Sequence, residues 1–210
     1  SRWQTANVAV SKDYRGRGIG RALVTTAVER IKERQGSWAV LQVRIENDIA
    51  RGLYERLDFN RLTEDALLQL DQAPREGPKG DPPARLRPYR HTEWQARYTL
   101  EAAARTESAK WWRPVRSHQF MQTSESRLGE KLWEWTGRNR IRRWVVEGDH
   151  GLAAWLSIDA KRWEGIHRIE FTVHPSCRGE LEQQLFDCAL QYKADYPAWP
   201  VRVEHQGEHR

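Results

Sequence analysis

The chain has 210 residues, of which 39% are hydrophobic and 30% charged, and its formal net charge is +6. This composition excludes a disordered chain, and no apolar run is long enough to predict a transmembrane helix or a signal peptide. The positive charge favours anionic ligands in general. Because the arginines are spread along the chain, it does not single out nucleic acid, and it predicts no membrane partner.

The first part of the chain alternates strands and helices. The predicted elements are a strand from Ala6 to Ser11, an amphipathic helix from Gly18 to Glu33, a strand from Ala39 to Glu46, a short helix from Asn47 to Leu57 and a strand from Asp65 to Leu70. Strand–helix–strand order implies at least one parallel strand pair with a right-handed crossover.

A stretch rich in proline and glycine, Asp71 to Pro88, predicts a linker over residues 71–83. After it, the pattern predicts a strand at Arg85–Tyr89, helices at Thr92–Ala104 and Ser124–Thr136, strands at Arg140–Glu147, Leu152–Asp159 and His167–His174, a helix at Gly179–Lys193 and a strand at Val201–Glu204. The sequence thus divides into residues 1–70 and residues 84–210.

The two cysteines, Cys177 and Cys188, are eleven residues apart and fall on different turns. They are too far apart to bridge, which predicts free thiols in a reducing cytoplasm. No Cys/His cluster has the spacing of a zinc site, so we expect no bound metal.

The stretch YRGRGIGRAL, Tyr14 to Leu23, combines glycines with arginines directly before a predicted helix. A helix N-terminus carries roughly half a positive charge, and glycines let backbone N–H groups approach an anion closely. The stretch therefore predicts a phosphate-binding loop. A tight turn with solvated arginines is the alternative interpretation. The spacing fits neither a Walker loop nor a dinucleotide fingerprint.

Two motifs, one following the other along the chain, resemble those of the GNAT superfamily of N-acetyltransferases. The first is Arg15-x-x-Gly18-x-Gly20, which resembles the loop that binds the pyrophosphate of acetyl-CoA. The second runs from Asn47 through Leu53-Tyr54 to Phe59, with Asp58 where the family usually has glycine. This departure concerns the turn after the helix more than the chemistry.

The resemblance implies acetyl-CoA as co-substrate and assigns residue roles. Tyr54 would protonate the departing thiolate, and Asn47 would contact the cofactor near pantetheine. The remaining cofactor-binding residues would be Val8, Ala9 and Val10 along the pantetheine arm and Arg15, Gly16, Arg17, Gly18, Ile19, Gly20 and Arg21 at the pyrophosphate. Without the surrounding motif, the interpretation we favour for Tyr54 is a core aromatic that packs with Leu53 and Leu57. No general base is identified, because Glu46 fits a solvated strand end.

The resemblance also implies an α/β (α+β, GNAT-like) fold with a mixed, mostly antiparallel central sheet and flanking helices. Residues 1–70 resemble a GNAT domain that lacks its N-terminal strands. Residues 84–210 resemble a degenerate second copy, as in tandem GNAT proteins. A weak internal repeat supports this: Val10, Arg15 and Gly16 align with Val173, Arg178 and Gly179, whereas Gly18 and Gly20 align with Leu181 and Gln183. We expect the two parts to share one sheet or a V-shaped interface, or to self-associate.

Most of the eleven tryptophans follow the linker, among them Trp111, Trp112, Trp133 and Trp135. An aromatic wall for the acceptor is one interpretation. Core and inter-domain packing is the interpretation we favour.

Three functions remain open on the sequence. The leading one is an acyl-CoA-dependent N-acetyltransferase that acts on a small-molecule or peptide amine. The second is a non-catalytic acyl-CoA binding or sensing module. The third is a binder of nucleic acid or of an acidic partner, which the dispersed arginines do not favour.

Overall fold

Two stretches of the chain fold as separate units, Ser1–Arg61 and Leu62–Arg210. The computed structural model describes residues 1–72, 77–78, 80–121, 128–129, 132, 134–137, 139–163 and 165–206. The division falls in front of the strand predicted at Asp65–Leu70, whereas the sequence pattern places the change after it.

The first unit is built around two parallel strands joined by a helix. Strand β1 (Arg2–Thr5) pairs with β2 (Trp38–Leu41), with Arg2 opposite Trp38 and Thr5 opposite Leu41. Helix α1 (Ile19–Glu33) crosses between them and buries Val24 and Ile31, which lie on one helical face. Helix α2 (Asp48–Glu55) follows β2. The predicted parallel pairing and both predicted helices are confirmed.

The two predicted strands of this unit are wrong in extent. β1 lies before the predicted strand Ala6–Ser11, because Asn7 takes a left-handed φ of 58° and turns the chain out of the extended conformation. β2 ends at Leu41 instead of Glu46, since β1 offers a partner strand of four residues only. Apolar alternation beyond Leu41 therefore reflects side-chain type and not strand pairing.

The second unit contains a six-stranded sheet of order β3-β8-β7-β6-β5-β4. Its strands are β3 (Asp65–Leu70), β4 (Leu86–Pro88), β5 (Asn139–Gly148), β6 (Gly151–Lys161), β7 (His167–Val173) and β8 (Val201–Gln206). β7 and β8 are parallel, and the other neighbouring pairs are antiparallel. The predicted mixed, mostly antiparallel sheet is confirmed.

Helices cover both faces of this sheet. α5 (Glu182–Lys193) packs Leu185 and Ala189 against Leu156 and Ile158 of β6, and all four side chains are buried. On the opposite face, α3 (Trp94–Ala104) packs Leu100 against Trp155. Because β6 is covered on both sides, its sequence is an almost continuous apolar run. α4 (Glu107–Trp112), which the sequence pattern did not predict, follows α3.

The proline-rich stretch holds no helix or strand among its described residues, 71–72, 77–78 and 80–83. It is nevertheless tied to α5, because the Gln191 side chain donates to the carbonyl oxygens of Pro78 and Gly80, both at 2.7 Å. The predicted helix Ser124–Thr136 lies largely outside the described residues, and so does Trp133. Within the described part of the chain, no helix combines the length and apolarity needed to cross a bilayer.

Tryptophan contributes to the core of the second unit. Trp155 is buried under α3, and the ring of Trp144 meets that of Tyr192 edge-on, with 5.3 Å between centroids. Trp135 and Trp163, in contrast, are largely exposed. The core-packing interpretation thus describes only some of these side chains.

Cys177 and Cys188 are free thiols, as predicted.

Candidate functional site

The glycine–arginine stretch forms an exposed loop between β1 and α1. A 3-10 turn, Lys12–Tyr14, opens it, with Tyr14 N–H bonded to Ser11 O at 2.9 Å. Gly16 and Gly18 then take left-handed φ values of 76° and 78°, and Gly18 is the N-cap of α1. Only glycine adopts these angles at low cost, so the loop conformation explains the positions of these two glycines.

This loop presents a row of backbone donors. The first intrahelical bond runs from Ala22 N–H to Gly18 O at 3.0 Å. Among the described residues, no acceptor lies at the N–H groups from Gly16 to Arg21. A Cβ placed on Gly16 or Gly18 would meet no atom within 4 Å, so the space beside the loop is open. The residues present therefore fit a bound phosphate or pyrophosphate.

Arginine side chains add positive charge to the same loop. Arg15 Nε donates to Val10 O at 3.2 Å, which ties the loop to the segment before it. The guanidinium of Arg17 lies over the Tyr14 ring, 5.4 Å from its centroid. Neither these arginines nor Arg21 forms an ion pair within the described part of the chain. The loop therefore carries uncompensated positive charge where α1 begins.

Gly20 brings the two sequence motifs together. A Cβ built on it would lie 3.5 Å from Leu53 Cδ2 and 3.8 Å from Val10 Cγ2, which are ordinary contact distances. The start of α1 thus packs on α2 and on the end of the Val8–Val10 segment. Sequence spacing predicted the two motifs but not this contact, because packing between helices is a property of the fold.

Residues Val8, Ala9 and Val10 lie between β1 and the loop, outside any strand. This corrects the prediction that they belong to the first strand. Except for the bond from Arg15 to Val10 O, no hydrogen bond from the described residues reaches their backbone. Their peptide groups are therefore left to pair with something else.

The second motif folds as α2 and the turn after it. Asn47 is the N-cap of α2, and its Oδ1 accepts from Ala50 N–H at 3.2 Å. The half-buried ring of Tyr54 lies edge-on to that of Phe59, 6.0 Å between centroids. Asp58 has a left-handed φ of 62°, a conformation that glycine adopts more easily after a helix end. Aspartate tolerates this conformation better than most residues do.

A second loop with the same plan precedes α5. Four features of the first loop recur 163 residues later in the chain. The 3-10 turn that begins at Lys12 corresponds to the one at Pro175, and the left-handed Gly16 corresponds to Gly179 (φ 85°). The start of α1 at Ile19 corresponds to the start of α5 at Glu182, and the start of β2 at Trp38 corresponds to the start of β8 at Val201. In both places the flanking strands are parallel. The weak sequence repeat is thus repeated in three dimensions.

Comparison with known proteins finds a family similarity in the first unit. Residues 1–59 match the model of the acetyltransferase (GNAT) family. The first unit is therefore similar to part of a GNAT-family protein. The co-substrate of GNAT enzymes is acetyl-CoA.

Two curated proteins are similar to a part of this chain. It is 42% identical over 53 residues to mycothiol acetyltransferase of Corynebacterium aurimucosum, covering 25% of this chain and 17% of that protein. It is 40% identical over 57 residues to the ribosomal protein bS18-alanine N-acetyltransferase of Escherichia coli K12, covering 27% of this chain and 38% of that one. The chain therefore spans well under half the length of these relatives.

Solved GNAT structures share the fold of the whole chain. A GCN5-related N-acetyltransferase from Sphaerobacter thermophilus superimposes with a TM-score of 0.58 at 18% identity, covering 96% of this chain and 63% of that one. A tandem GNAT protein from the clavulanic acid biosynthesis pathway gives a TM-score of 0.53 at 16% identity, covering 100% of this chain and 68% of that one. The GNAT-like fold predicted from the sequence is confirmed.

No group of three or more His, Cys, Asp or Glu side chains suited to a metal ion occurs within the described ranges.

The sequence analysis did not single out one residue of the second loop, Glu182. Its carboxylate accepts from Gly179 N–H at 2.8 Å. The signal was an acidic side chain three positions after the aligned glycine.

Proposed function

We propose that this chain is part of an acetyl-CoA-dependent N-acetyltransferase, and that its first unit holds the cofactor. The observation that carries the proposal is the row of open N–H groups from Gly16 to Arg21 within the segment similar to the GNAT family. An unpaired donor row beside positive charge is suited to a pyrophosphate.

Each cofactor-binding residue has a role that its surroundings support. The amides of Gly16, Gly18 and their neighbours would hold the pyrophosphate, and Arg17 and Arg21 would balance its charge. The unpaired backbone of Val8–Val10 would run along the pantetheine arm. Asn47 already caps α2 through Oδ1, so its amide NH₂ is the group left for the cofactor.

Bound acetyl-CoA supplies the acetyl group as a thioester. The chain then has to position an amine against the carbonyl carbon and to return a proton to the sulfur as the C–S bond breaks. Tyr54 is the candidate donor, because a phenol O–H can protonate a departing thiolate. Its hydroxyl has no hydrogen-bond partner among the described residues.

The acceptor is proposed only as an amine. By their names, the relatives described above act on mycothiol and on an alanine of a ribosomal protein, and this chain covers only part of either relative.

We also propose that residues 1–70 and 84–210 are two GNAT-like copies joined by residues 71–83, and that the second copy is degenerate. The free cysteines fit a cytoplasmic protein.

Calorimetric titration with acetyl-CoA tests the proposal. We expect the parent chain to bind and Gly18→Glu to abolish binding, because the new carboxylate stands among the open N–H groups. Gly137→Glu is the matched control. Gly137 also has a positive φ, 68°, and a Cβ added there would meet no atom within 4 Å, but this glycine lies in the second unit.

Equal loss in both glycine variants would point to backbone strain and would remove the loop from the proposal. No binding by the parent chain would contradict cofactor binding by this chain altogether.

A non-catalytic acyl-CoA binding module is the second candidate. The packing of Tyr54 on Phe59 favours it, because that contact gives the tyrosine a structural reason to be present. Tight acetyl-CoA binding without transfer to any amine in a broad screen would select this candidate.

A further inference from the structure

The second loop keeps the shape of the first but uses its hydrogen-bonding groups within the chain. In the first loop, Gly16 N–H has no acceptor among the described residues. In the second, the corresponding Gly179 N–H donates to Glu182 Oε2 at 2.8 Å. Glu182 stands where the first copy has Ile19, at the first residue of the helix. A carboxylate of the chain thus occupies the place beside the left-handed glycine.

Other donors of the second loop also form hydrogen bonds within the chain. Arg178, the counterpart of Arg15, donates through Nη2 to the carbonyl oxygen of Ala104 at the end of α3. Glu180 N–H bonds to Cys177 O at 3.3 Å. Leu181, at the position of Gly18, has right-handed angles (φ −97°, ψ −23°), whereas Gly18 is left-handed. The backbone N–H groups that have no acceptor in the first loop are therefore partly hydrogen-bonded within the chain in the second loop. Because Leu181 is right-handed, the N–H groups of the second loop also point in different directions.

We infer that Glu182 substitutes for a cofactor phosphate in the second loop and closes it, so that the chain binds a single acetyl-CoA. This rests on the proposed function of the first loop. A phosphate approaching Gly179 would meet a carboxylate already bonded to that N–H, and repulsion between the two negative charges disfavours its binding there. Arg178, engaged with α3, is not placed to offset the repulsion. The second loop thereby joins α3 to α5 and has lost its role as an anion site.

The first test is the stoichiometry of acetyl-CoA binding, measured by calorimetry on the full chain. We expect one site per chain. Two sites would overturn the inference directly.

The second test reopens the second loop in a chain whose first loop is disabled by Gly18→Glu. Inorganic pyrophosphate is the probe, and its binding is followed by the broadening of its phosphorus NMR signal. Adding Glu182→Ile and Leu181→Gly copies the first loop at both positions. We expect at least a tenfold gain in pyrophosphate affinity over Gly18→Glu alone. Glu182→Gln, which keeps an acceptor but removes the charge, should give a smaller gain and covers the case in which the other variant fails to fold.

Glu180→Ile in the same background is the matched control, since Glu180 is an exposed neighbouring carboxylate that makes no side-chain contact with the Gly179 amide. It should leave pyrophosphate binding unchanged. The inference would be overturned if a Glu182 variant with the same unfolding temperature as Gly18→Glu showed no gain in pyrophosphate affinity. The proposed function fails separately, if the unmodified chain binds no acetyl-CoA. A gain in pyrophosphate affinity in the Glu182 variants would then still uphold the inference about the second loop.

Discussion

Tyr54 is the residue on which the distinction between an enzyme and a binding module depends. We predict that Tyr54→Phe lowers the rate of acetyl transfer by about 100-fold, a typical contribution of a general acid, while the dissociation constant of acetyl-CoA stays unchanged. The ring and its contact with Phe59 are retained in this variant, so only the proton donor is lost. The measurement is steady-state transfer to an amine found in the acceptor screen, together with calorimetry.

Tyr98→Phe is the control for this substitution. Tyr98 is also half-buried, and its ring lies edge-on to Phe120 at 5.9 Å between centroids, but it belongs to the second unit. It should change neither quantity. Unaltered transfer in Tyr54→Phe would show that Tyr54 is a packing residue, and an equal loss of transfer and binding would also contradict the acid role.

Single residues of the first loop were predictable because their constraint is local. Gly18 must be glycine where φ is 78°, and the sequence pattern alone identifies it. Asp58 was recognised as a departure from glycine, and its φ of 62° supplies the reason. The bond from Glu182 to Gly179 was not predicted, since a carboxylate three positions away also fits an exposed helix start.

At the scale of elements, β7 depends on a buried histidine. His167 is fully buried, its Nδ1 accepts from Lys161 N–H at 3.0 Å, and its Nε2 lies 2.9 Å from Pro197 O. The Nε2–H tautomer of a neutral ring satisfies both contacts. Burial lowers the pKa of His167, and the nearby charge of Lys193 acts in the same direction, while the bond to Pro197 opposes them.

We predict that the second unit loses stability as the pH falls below about 6.5, the pKa of an unperturbed histidine. The unfolded chain binds a proton there before the folded chain does, so the stability that His167 contributes is complete above this pH and declines below it. The slope should approach about 1.4 kcal/mol per pH unit for one proton. Urea unfolding followed by tryptophan fluorescence between pH 7.5 and 5.5 measures it.

His167→Gln should flatten this dependence, while His150→Gln, at the exposed turn between β5 and β6, should leave it in place. A slope that persists in His167→Gln would assign the effect to another group. Helices α3 and α5 and strands β5, β6 and β7 were predicted within a few residues because their apolar periodicity is strong, whereas α4 was not. The ends of β1 and β2 were not, because pairing with a four-residue partner set them.

On the scale of the whole molecule, β3 joins the part of the chain before the linker to the part after it. Its six residues pair with β8 from Asp65 opposite Gln206 to Leu70 opposite Val201. β1 and β2, the other described strands of residues 1–70, pair with each other in a sheet of their own. That residues 1–70 and 84–210 share one sheet or a V-shaped interface therefore stays a prediction. Compactness accordingly divides the chain at Arg61, although the composition changes most at residue 71.

We predict that limited proteolysis between residues 71 and 83 yields two fragments that elute together in size-exclusion chromatography. The β3–β8 ladder would hold them, because cleavage in the linker breaks no strand pairing. Guanidinium chloride should separate them and so show that cleavage is complete. Separation under native conditions would mean that the ladder does not hold the two parts.

The sequence by itself determined the two glycine- and asparagine-led motifs and the alternation of strands and helices, because glycine conformation and apolar periodicity are local properties of the chain. The GNAT-like class of the fold followed from the resemblance of those motifs to the family. Only the tertiary structure decided that Asp65–Leu70 belongs to the second sheet, that Gly20 packs against Leu53, and that Glu182 fills the second loop. These depend on which partner a strand edge, a helix surface or a backbone donor finds once the chain has turned, and no local pattern encodes that choice.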